Sequence, residues 1–280
     1  MEHNILEVKN ICKQYKDFTL DHVTFQLPAG CIMGFIGENG AGKSTTIKAI
    51  MDLVKKDSGT VTIFGKDNET ELKSVKEDIG VVVDECCFPD NLSIHNIRKI
   101  MKNIYKNWEE NTFQNYIERF SLPEKKPVKN FSKGMKMKLS IAVALSHRPK
   151  LLILDEATSG LDPMVREEIS DVFLDFIQDE NHSILLSSHI TSDLEKICDY
   201  ITFIHHGKII FTEEKDELLE KYAILKCSEE DLDAIPANAV KGKKKHKFGI
   251  EALVEKEKVN SSFLMEKPSL EEIMLYLSQK

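Results

Sequence analysis

The sequence has no long apolar run and no excess of positive charge. Its most apolar segments, residues 151–157 and 183–188, are far shorter than the roughly 18 apolar residues of a membrane-spanning helix. We therefore expect that the chain does not cross a membrane by itself. Acidic residues outnumber basic ones by 46 to 38, which gives a formal net charge of −8. A surface of this sign has no general attraction for nucleic acid, and we expect no nucleic-acid partner.

Cysteine patterns of zinc sites and disulfide frameworks are also missing. The six cysteines are scattered and include no C-x-x-C pair, so we interpret them as the reduced thiols of a cytoplasmic protein. The adjacent Cys86 and Cys87 would suit a redox switch or a metal pair, but small buried or half-buried apolar residues are the favoured interpretation. The first ten residues lack the positive start and apolar middle of a secretory signal, so we expect no export.

Residues 37–45, GENGAGKST, form the most informative motif in the chain. They fit G-x-x-x-x-G-K-[ST], the P-loop that cradles phosphates with backbone N–H groups. Gly37, Gly40 and Gly42 would let the chain curl closely around a triphosphate. Lys43 would reach the β- and γ-phosphates, and the Ser44 hydroxyl would bind Mg²⁺. The nucleotide-binding residues predicted from the motif are Gly37, Glu38, Asn39, Gly40, Ala41, Gly42, Lys43, Ser44 and Thr45.

The segments on either side of this loop support its assignment. Residues 31–36 are an apolar run of strand length, and residues 45–54 carry apolar side chains at helical spacing. Strand, glycine loop and helix therefore follow one another in the order that the motif requires. The N-terminus of the helix would add its partial positive charge to the phosphate site.

The rest of the chain predicts an α/β fold. Short alternating strands in the first thirty residues predict an antiparallel sheet, and residues 86–149 have the polar, aromatic pattern of an inserted helical subdomain. Strands and helices then alternate again up to residue 211. We predict a P-loop NTPase fold with a mixed core sheet, an N-terminal antiparallel β-subdomain and the helical insertion. Residues 1–211 would form the ATPase domain, and residues 212–280 a small C-terminal α+β extension.

The C-terminal extension contains the basic run KGKKKHK at residues 241–247. We interpret it as the solvated tip of a hairpin, although RNA, anionic lipid or an acidic partner would also suit such a charge. The chain closes with an amphipathic segment at residues 268–280, which predicts a capping helix or a helix that packs across a dimer interface.

Two acids follow the buried strand within residues 151–163, LLILDEATSGLDP. Because ligands of open α/β sheets bind at the carboxyl ends of the strands, Asp155 and Glu156 would emerge beside the P-loop. Asp155 would hold Mg²⁺ through its water shell. Glu156 would orient or deprotonate the water that attacks the γ-phosphate.

These acids, FSKGMKMKLSIAVAL at residues 131–145 and SSH at residues 187–189 together resemble the nucleotide-binding subunit of an ABC transporter. The resemblance covers residues 1 to about 211. It implies an ATPase that uses ATP and Mg²⁺, works as a dimer of nucleotide-binding subunits and drives a polytopic membrane permease docked on the helical insertion. It also implies a cytoplasmic location on the inner face of the cell membrane. Both a homodimer and a pairing with a related chain remain open.

The family signature is usually LSGGQ, and alignment places Ser132, Lys133, Gly134 and Met135 on its last four positions. The resemblance implies that Ser132 and Gly134 contact the γ-phosphate of ATP bound on the opposite subunit. Serine hydroxyls and helix N-terminal N–H groups suit an anionic phosphate. Lys133, with Lys136 and Lys138, would add positive potential, unless this side of the helix is simply a solvated lysine face.

Three further residues take roles from the resemblance. His189 matches the family's switch histidine, which holds the γ-phosphate, the water and the catalytic glutamate together. Asp162 matches the loop that crosses the dimer interface and links the two ATP sites. Tyr15 lies where the family stacks an aromatic ring on adenine, and Phe18 is the competing candidate for that stacking.

Asp84 is a departure from the family pattern. The family usually has a glutamine at this position, which touches Mg²⁺ and the membrane partner, whereas this chain has Asp84 followed by Glu85. A carboxylate beside a γ-phosphate is repulsive unless a metal compensates. We therefore expect Asp84 to take part in nucleotide binding only when Mg²⁺ is bound beside it. The acidic pair, the SKGM signature and the C-terminal extension resemble ABC-2-type, bacitracin-type exporter ATPases associated with peptide-antibiotic resistance in Gram-positive bacteria.

The leading hypothesis is therefore an ATP-driven motor subunit of a transporter, most consistent with an exporter. One alternative is a soluble ABC protein acting on nucleic acid or ribosomes, but such proteins usually carry two cassettes or a long coiled coil, and this chain has neither. Another alternative is a regulatory nucleotide sensor with little hydrolysis, suggested by the degenerate signature and by Asp84. The presence of Glu156 and His189 argues against that sensor.

Overall fold

The computed structural model describes residues 4–84, 86–247, 249–260 and 263–278, and its described strands form three sheets. The strands are β1 (Asn4–Gln14), β2 (Thr19–Pro28), β3 (Ile32–Ile36), β4 (Ser58–Ile63), β5 (Lys66–Asp67), β6 (Ile79–Val82), β7 (Leu151–Asp155), β8 (Ser183–Ser188), β9 (Tyr200–His205), β10 (Lys208–Glu214), β11 (Tyr222–Cys227), β12 (Val240–His246), β13 (Gly249–Glu255) and β14 (Met265–Glu266). The α-helices are α1 (Lys43–Ile50), α2 (Leu72–Val75), α3 (Ile94–Ile104), α4 (Glu110–Arg119), α5 (Lys133–Leu145), α6 (Pro163–Phe176), α7 (Thr191–Ile197), α8 (Lys215–Lys221), α9 (Glu229–Asp233) and α10 (Leu270–Leu277).

The core sheet has the order β10-β9-β3-β8-β7-β6. Strands β9, β3, β8, β7 and β6 are parallel, and β10 is antiparallel to β9 at one edge. The segments that leave β3, β6, β7 and β8 therefore emerge at the same edge of the sheet. They are the P-loop, the segment with Asp84, the two acids and the segment with His189. The predicted P-loop fold with a mixed core sheet is confirmed.

Side-chain alternation along the core strands builds a hydrophobic layer on each face of this sheet. In β7, Leu151 and Ile153 pack with the N-terminal sheet and α1, whereas Leu152 and Leu154 pack with the inserted helices. All four leucine and isoleucine side chains are fully buried. A strand that is buried on both faces reads as a continuous apolar run, as it does here.

The N-terminal sheet has the order β2-β1-β4-β5, and its strand pairs are antiparallel, as predicted. The helical insertion contains α3, α4 and α5. Helix α3 begins with a capping box, because the Ser93 side chain accepts from the Asn96 N–H and the Asn96 side chain accepts from the Ser93 N–H. Ile94 and Ile97 of α3 are buried.

The C-terminal unit contains an antiparallel sheet of order β12-β13-β11-β14. The basic run extends beyond the predicted hairpin tip: it forms most of β12, an edge strand, and leads into the turn of the hairpin with β13. Lysine-rich edge strands protect a sheet against further pairing, and they need no apolar alternation on their exposed face. Hydrogen bonds from Lys241 and Lys258 lower the pKa of Glu255 to about 2, so β13 partly neutralises the run.

The predicted boundary between residues 211 and 212 falls inside β10. Leu218 of α8 and Leu270 and Ile273 of α10 belong to the same hydrophobic cluster as the inserted helices. The C-terminal unit thus shares part of its core with the rest of the chain, and the division into two domains stays a prediction.

All six cysteines lie within the described residues, and none forms a disulfide. Cys86 is half-buried as expected, but Cys87 is exposed, so its interpretation as a core residue is wrong. Among the described helices, none has the length and apolar character needed to cross a membrane.

Candidate active site

The P-loop joins the central strand β3 to α1, and its glycines are required by its geometry. Gly42 has φ +117°, and a Cβ on it would lie 2.7 Å from Cδ2 of Leu20. A Cβ on Gly37 would lie 2.4 Å from the carbonyl oxygen of Ile204. Only glycine fits these two positions, because a side chain would clash with the strands behind the loop. Gly40 has φ +84° and lies on the exposed side of the P-loop, where a Cβ would have no neighbour within 4 Å.

The remaining loop residues hold this turn in place or face outwards. The N–H of Ala41 donates to the carbonyl of Glu38 (3.1 Å), and the Ala41 carbonyl accepts from the N–H of Gly207 (2.9 Å). Ser44 and Thr45 are half-buried, and Glu38 and Asn39 are exposed. In the described part of the chain, no side chain caps α1. The first-turn N–H groups of α1 are therefore available to an anion such as a phosphate.

Lys43 folds back over the P-loop and reaches Glu156. Its Nζ donates to the carbonyl of Gly37 (2.7 Å) and lies 3.1 Å from Oε1 of Glu156. The Lys43 side chain is 5% exposed and the Glu156 side chain 14% exposed. The contact is within ion-pair distance but is not aligned as a hydrogen bond, and Oε1 has no hydrogen-bond partner among the described residues. A buried carboxylate oxygen without a partner fits a role in binding water or substrate.

His189 contacts the other oxygen of the same carboxylate. Its Nδ1 lies 2.7 Å from Oε2 of Glu156, and its side chain is 40% exposed. Glu156 therefore lies between the P-loop lysine and the histidine that follows β8. The structure brings together the three residues that sequence reasoning selected for catalysis.

Ser187 contacts both acids of the candidate site, and the sequence did not single it out. Its hydroxyl donates to Oδ1 of Asp155 (2.6 Å) and accepts from the N–H of Glu156 (3.2 Å). Its carbonyl also accepts from that N–H at 3.1 Å. Ser187 is fully buried, and Glu156 has a left-handed φ of +54°. The parallel register of β7 and β8 pairs Asp155 with Ser187, and only this register reveals the contact.

Asp155 has the properties of a Mg²⁺ ligand, and Ser44 stays a predicted one. Asp155 is 8% exposed, and among the described residues no Lys, Arg or His forms an ion pair with it. A buried carboxylate without a cation is costly, and a hard divalent cation with oxygen ligands would offset that cost.

The signature residues are engaged within their own part of the chain. Ser132 is the N-cap of α5, and its hydroxyl accepts from the N–H of Met135 (3.2 Å). A Cβ on Gly134 would lie 3.4 Å from Val165 at the start of α6. Among the described residues, no hydrogen bond or ion pair links Ser132, Lys133 or Gly134 to the P-loop. A single chain therefore does not bring the signature to the P-loop.

The lysines of α5 are paired with carboxylates rather than solvated as a free face. Lys133 lies 2.9 Å from Asp84, Lys136 lies 3.6 Å from Asp90, and Lys138 pairs with Glu168. Asp84 thus pairs with the signature lysine, and among the described residues it forms no hydrogen bond or ion pair with Ser44 or Asp155. The neighbouring Glu85 lies outside the described residues.

Asp162 and the aromatic candidates lie at the margin of this site. Asp162 is the N-cap of α6, and its carboxylate accepts from the N–H of Val165 (3.0 Å). Phe18 is half-buried and faces the P-loop, because its Cζ lies 2.9 Å from the Cβ position of Gly42. Tyr15 is 42% exposed on the turn beside it, with the two ring centroids 6.4 Å apart. Stacking of Tyr15 on adenine stays a prediction.

A cavity of about 480 Å³ opens beside these residues. Gly37 and Glu38 of the P-loop, His189 and Leu275 of α10 are among the residues that line it. The C-terminal unit therefore borders the edge of the sheet where the acids and the P-loop meet.

Residues 20–159 match the family described as ABC transporter. The chain is 38% identical over 215 residues to the lantibiotic transport ATP-binding protein SrtF of Streptococcus pyogenes, covering 76% of this chain and 92% of SrtF. It is 37% identical over 209 residues to the bacitracin transport ATP-binding protein BcrA of Bacillus licheniformis, covering 74% of this chain and 68% of BcrA. The solved structure of cbiO1 from Clostridium perfringens, part of the ABC transporter complex cbiONQ, superposes with a TM-score of 0.66 and 26% identity, covering 78% of this chain and 91% of cbiO1.

Proposed function

The chain belongs to the ABC transporter family, and from that premise we propose how its residues bind ATP, hydrolyse it and pass on the resulting movement. It is the ATP-binding subunit of a transporter, and it is an ATPase. The observation that carries the proposal is the half-buried carboxylate of Glu156, held between Lys43 and His189, whose buried Oε1 has no hydrogen-bond partner among the described residues.

We assign the phosphates of ATP to the P-loop at residues 37–45. The uncapped N–H groups of α1 would contact the phosphate oxygens, and the ammonium of Lys43 would move from the Gly37 carbonyl to the β- and γ-phosphates. Ser44 and Asp155 would hold Mg²⁺, with Asp84 as a further candidate. Bound Mg²⁺ supplies positive charge that neutralises the β- and γ-phosphate oxygens.

Glu156 would orient the attacking water and accept its proton. Its N–H is fixed by the carbonyl and hydroxyl of Ser187, so the carboxylate is directed from a rigid strand edge. His189, hydrogen-bonded to the carboxylate, would keep water and γ-phosphate aligned. Positioned general bases of this kind contribute about 10²- to 10⁴-fold to a rate.

A second copy of this chain would complete the site. Each chain carries both a P-loop half and a signature half, and the two halves are not joined within one chain. Two copies related by a two-fold axis would place each P-loop against the partner's Ser132 and Gly134, forming two equal sites. Asp162 would lie in the loop between them. Closure on ATP and opening after hydrolysis would then deliver the mechanical step.

The test compares the wild-type chain with Glu156→Gln. We expect ATP hydrolysis to fall by at least about 10²-fold, because the variant lacks the general base. ATP binding should persist, and analytical ultracentrifugation should detect ATP-stabilised dimers. Glu167→Gln, an exposed acid on α6 paired with Lys196, is the matched control and should retain activity. Unchanged hydrolysis in Glu156→Gln would contradict the role of Glu156, and a wild-type chain that binds ATP without hydrolysing it would favour the regulatory sensor.

The partner that we propose is a polytopic membrane permease, docked on the helical insertion at the inner face of the cell membrane. Ile100 and Ile104 support this docking, because they lie four residues apart on one side of α3 and are 41% and 57% exposed. Co-purification with a polytopic membrane protein, lost in Ile104→Asp while basal ATPase activity persists, would support it. Co-purification with ribosomes or RNA would favour the soluble alternative.

Peptide antibiotics are the cargo class that we propose, since the names of two relatives specify lantibiotic and bacitracin transport. Expression of the chain with its permease should raise resistance to such a peptide in a sensitive Gram-positive host. Resistance should disappear with Glu156→Gln. Unchanged sensitivity to lantibiotics and bacitracin would exclude those two cargoes.

A further inference from the structure

Two residues that depart from the family pattern contact each other. Lys133 stands in the signature, where glycine is usual, and Asp84 stands where glutamine is usual. Nζ of Lys133 lies 2.9 Å from Oδ1 of Asp84, although the residues are 49 positions apart in the chain. The two unusual charges therefore form one ion pair between the segment after β6 and the start of α5.

Asp84 lies close to the edge of the sheet where the catalytic acids emerge. Val82 of β6 pairs with Leu154 of β7. Asp84 is two residues beyond Val82, just as Glu156 is two residues beyond Leu154. The ion pair thus ties the signature to a segment that leaves the core sheet beside the acids of the same chain.

Lys133 also lies against the loop that leads to Asp162. A Cβ on Gly160 would come within 3.3 Å of Nζ of Lys133. The ammonium group of this signature residue therefore contacts Asp84 in the segment after β6 and lies beside the loop before α6, and all three segments take part in the proposed dimer.

The ion pair is suited to exchange. The side chains of Lys133 and Asp84 are 49% and 50% exposed. Lys138, five residues further along α5, is only 12% exposed beside Glu168. Half-exposed ion pairs are screened by water and salt and hold weakly. A γ-phosphate has more negative charge and more acceptor oxygens than a carboxylate, so it would compete well for the same ammonium.

We propose that Lys133 is a phosphate-binding residue supplied to the partner's site, and that it exchanges Asp84 for the partner's γ-phosphate when two ATP-loaded chains close. In the single chain, Asp84 holds the ammonium at the mouth of the signature. On closure, the ammonium joins the Ser132 hydroxyl and the N–H groups at the start of α5 around the phosphate. Asp84 is then released on the side of its own nucleotide site, so ATP in one site changes the surroundings of the other.

This inference rests on the proposed composite dimer, and it predicts opposite effects from the two ends of the ion pair. The experiment measures the ATP concentration that gives half-maximal dimerisation, in the Glu156→Gln background, by analytical ultracentrifugation. Asp84→Asn frees Lys133 and should lower that concentration by about 2- to 5-fold. Lys133→Met removes the phosphate contact and should raise it by about 10-fold or more, while Lys133→Arg should stay close to the parent. If the ion pair were purely structural, removal of either end would shift the half-maximal ATP concentration in the same direction.

Two controls separate the possible failures. Lys136→Met removes another lysine of α5 that is paired with a carboxylate, and it should leave dimerisation unchanged. Binding of a fluorescent ATP analogue to dilute monomer should be unaffected by Lys133→Met, because Lys133 serves the partner's site. If the parent fails to dimerise with ATP, the composite dimer is wrong. If the parent dimerises but Asp84→Asn and Lys133→Met shift it in the same direction or not at all, only the exchange is wrong.

Discussion

The two halves of the proposed site differ in how their side chains are used. We call the P-loop half, with Glu156 and His189, the catalytic half, and the half with Ser132 and Asp162 the signature half. In the catalytic half, Lys43 and His189 both contact Glu156, at 3.1 and 2.7 Å, across three segments that leave the core sheet. In the signature half, Ser132 and Asp162 cap their own helices, with N–H to oxygen distances of 3.2 and 3.0 Å. The fold therefore assembles the catalytic half within one chain, whereas no hydrogen bond or ion pair among the described residues joins Ser132 or Asp162 to the P-loop.

From this difference we expect catalysis and recognition of the partner's phosphate to be separable in this chain. A change in the catalytic half should impair hydrolysis at the site that contains the altered chain's own P-loop. Changes in the signature half should spare ATP binding by the same chain and impair assembly with a partner. The predictions that follow test this separation.

The largest effect is expected from His189→Ala in the catalytic half. Loss of the imidazole leaves Oε2 of Glu156 without its hydrogen-bond partner, so the turnover number should fall by about 10²- to 10⁴-fold. Steady-state kinetics should show little change in KM for ATP. His182 lies just before β8, and its Nδ1 lies within hydrogen-bond distance of the Phe176 carbonyl. A comparable loss in His182→Ala would show that the effect is structural.

Ser132→Ala tests the signature half. We expect hydrolysis to fall by about 10- to 100-fold, because a phosphate ligand of the partner's site is lost. Binding of ATP to dilute monomer, measured by fluorescence, should not change.

The control for Ser132→Ala is Ser228→Ala, which removes the N-cap of α9 far along the chain. Both variants should lose about 1 kcal/mol of unfolding free energy. Equal losses of hydrolysis in the two variants would reduce the role of Ser132 to helix capping.

Ser187→Ala tests how the catalytic half is positioned. The variant removes the hydrogen bond to Asp155, so the Mg²⁺ concentration for half-maximal hydrolysis should rise by about 10-fold. Ser183→Ala, at the other end of β8 and equally buried, should leave the Mg²⁺ requirement unchanged. The same Mg²⁺ dependence in Ser187→Ala and the wild type would exclude this positioning role.

The smallest effect concerns the joint between the helical insertion and the core sheet. His147 follows α5, lies fully buried, bonds the Ile79 carbonyl at 3.1 Å and stacks on Tyr105. Burial lowers the pKa of His147 below its ordinary value of 6.5. Because the folded state disfavours the charged form, its contribution to stability is present above pH 6.5 and is lost as the pH falls below that value.

We therefore expect the unfolding free energy to fall below pH 6.5 by at most about 1.4 kcal/mol per pH unit from this group. Urea unfolding at a series of pH values measures it. His147→Gln should flatten this part of the pH profile. An identical slope in the variant would assign the pH dependence to other groups.

The parts of the site that depend on short contiguous motifs were predictable from the sequence. The P-loop residues and the pair Asp155 and Glu156 follow their strands directly, so strand order alone brings them to one edge. Ser187 was not predictable in its role, because that role depends on the register between β7 and β8. The contact of Lys133 with Asp84 joins elements far apart in the chain, and neither residue predicts the other.

The same distinction explains the errors in the fold. Residues 241–246 lie in an edge strand without the apolar alternation that identifies strands, since one face of β12 and its open edge meet water. Long-range packing, rather than local pattern, also decides that Leu270 and Ile273 of α10 join the core of the inserted helices.

The most direct test of the composite site mixes two inactive chains. Lys43→Ala lacks a working P-loop, and Gly134→Asp places a carboxylate where the partner's phosphate would bind. A mixed dimer would contain one site with both halves intact, so an equimolar mixture should recover about a quarter of the wild-type specific activity by random pairing. ATP hydrolysis by the mixture that stays at the sum of the two separate variants would contradict a site shared between two copies of this chain.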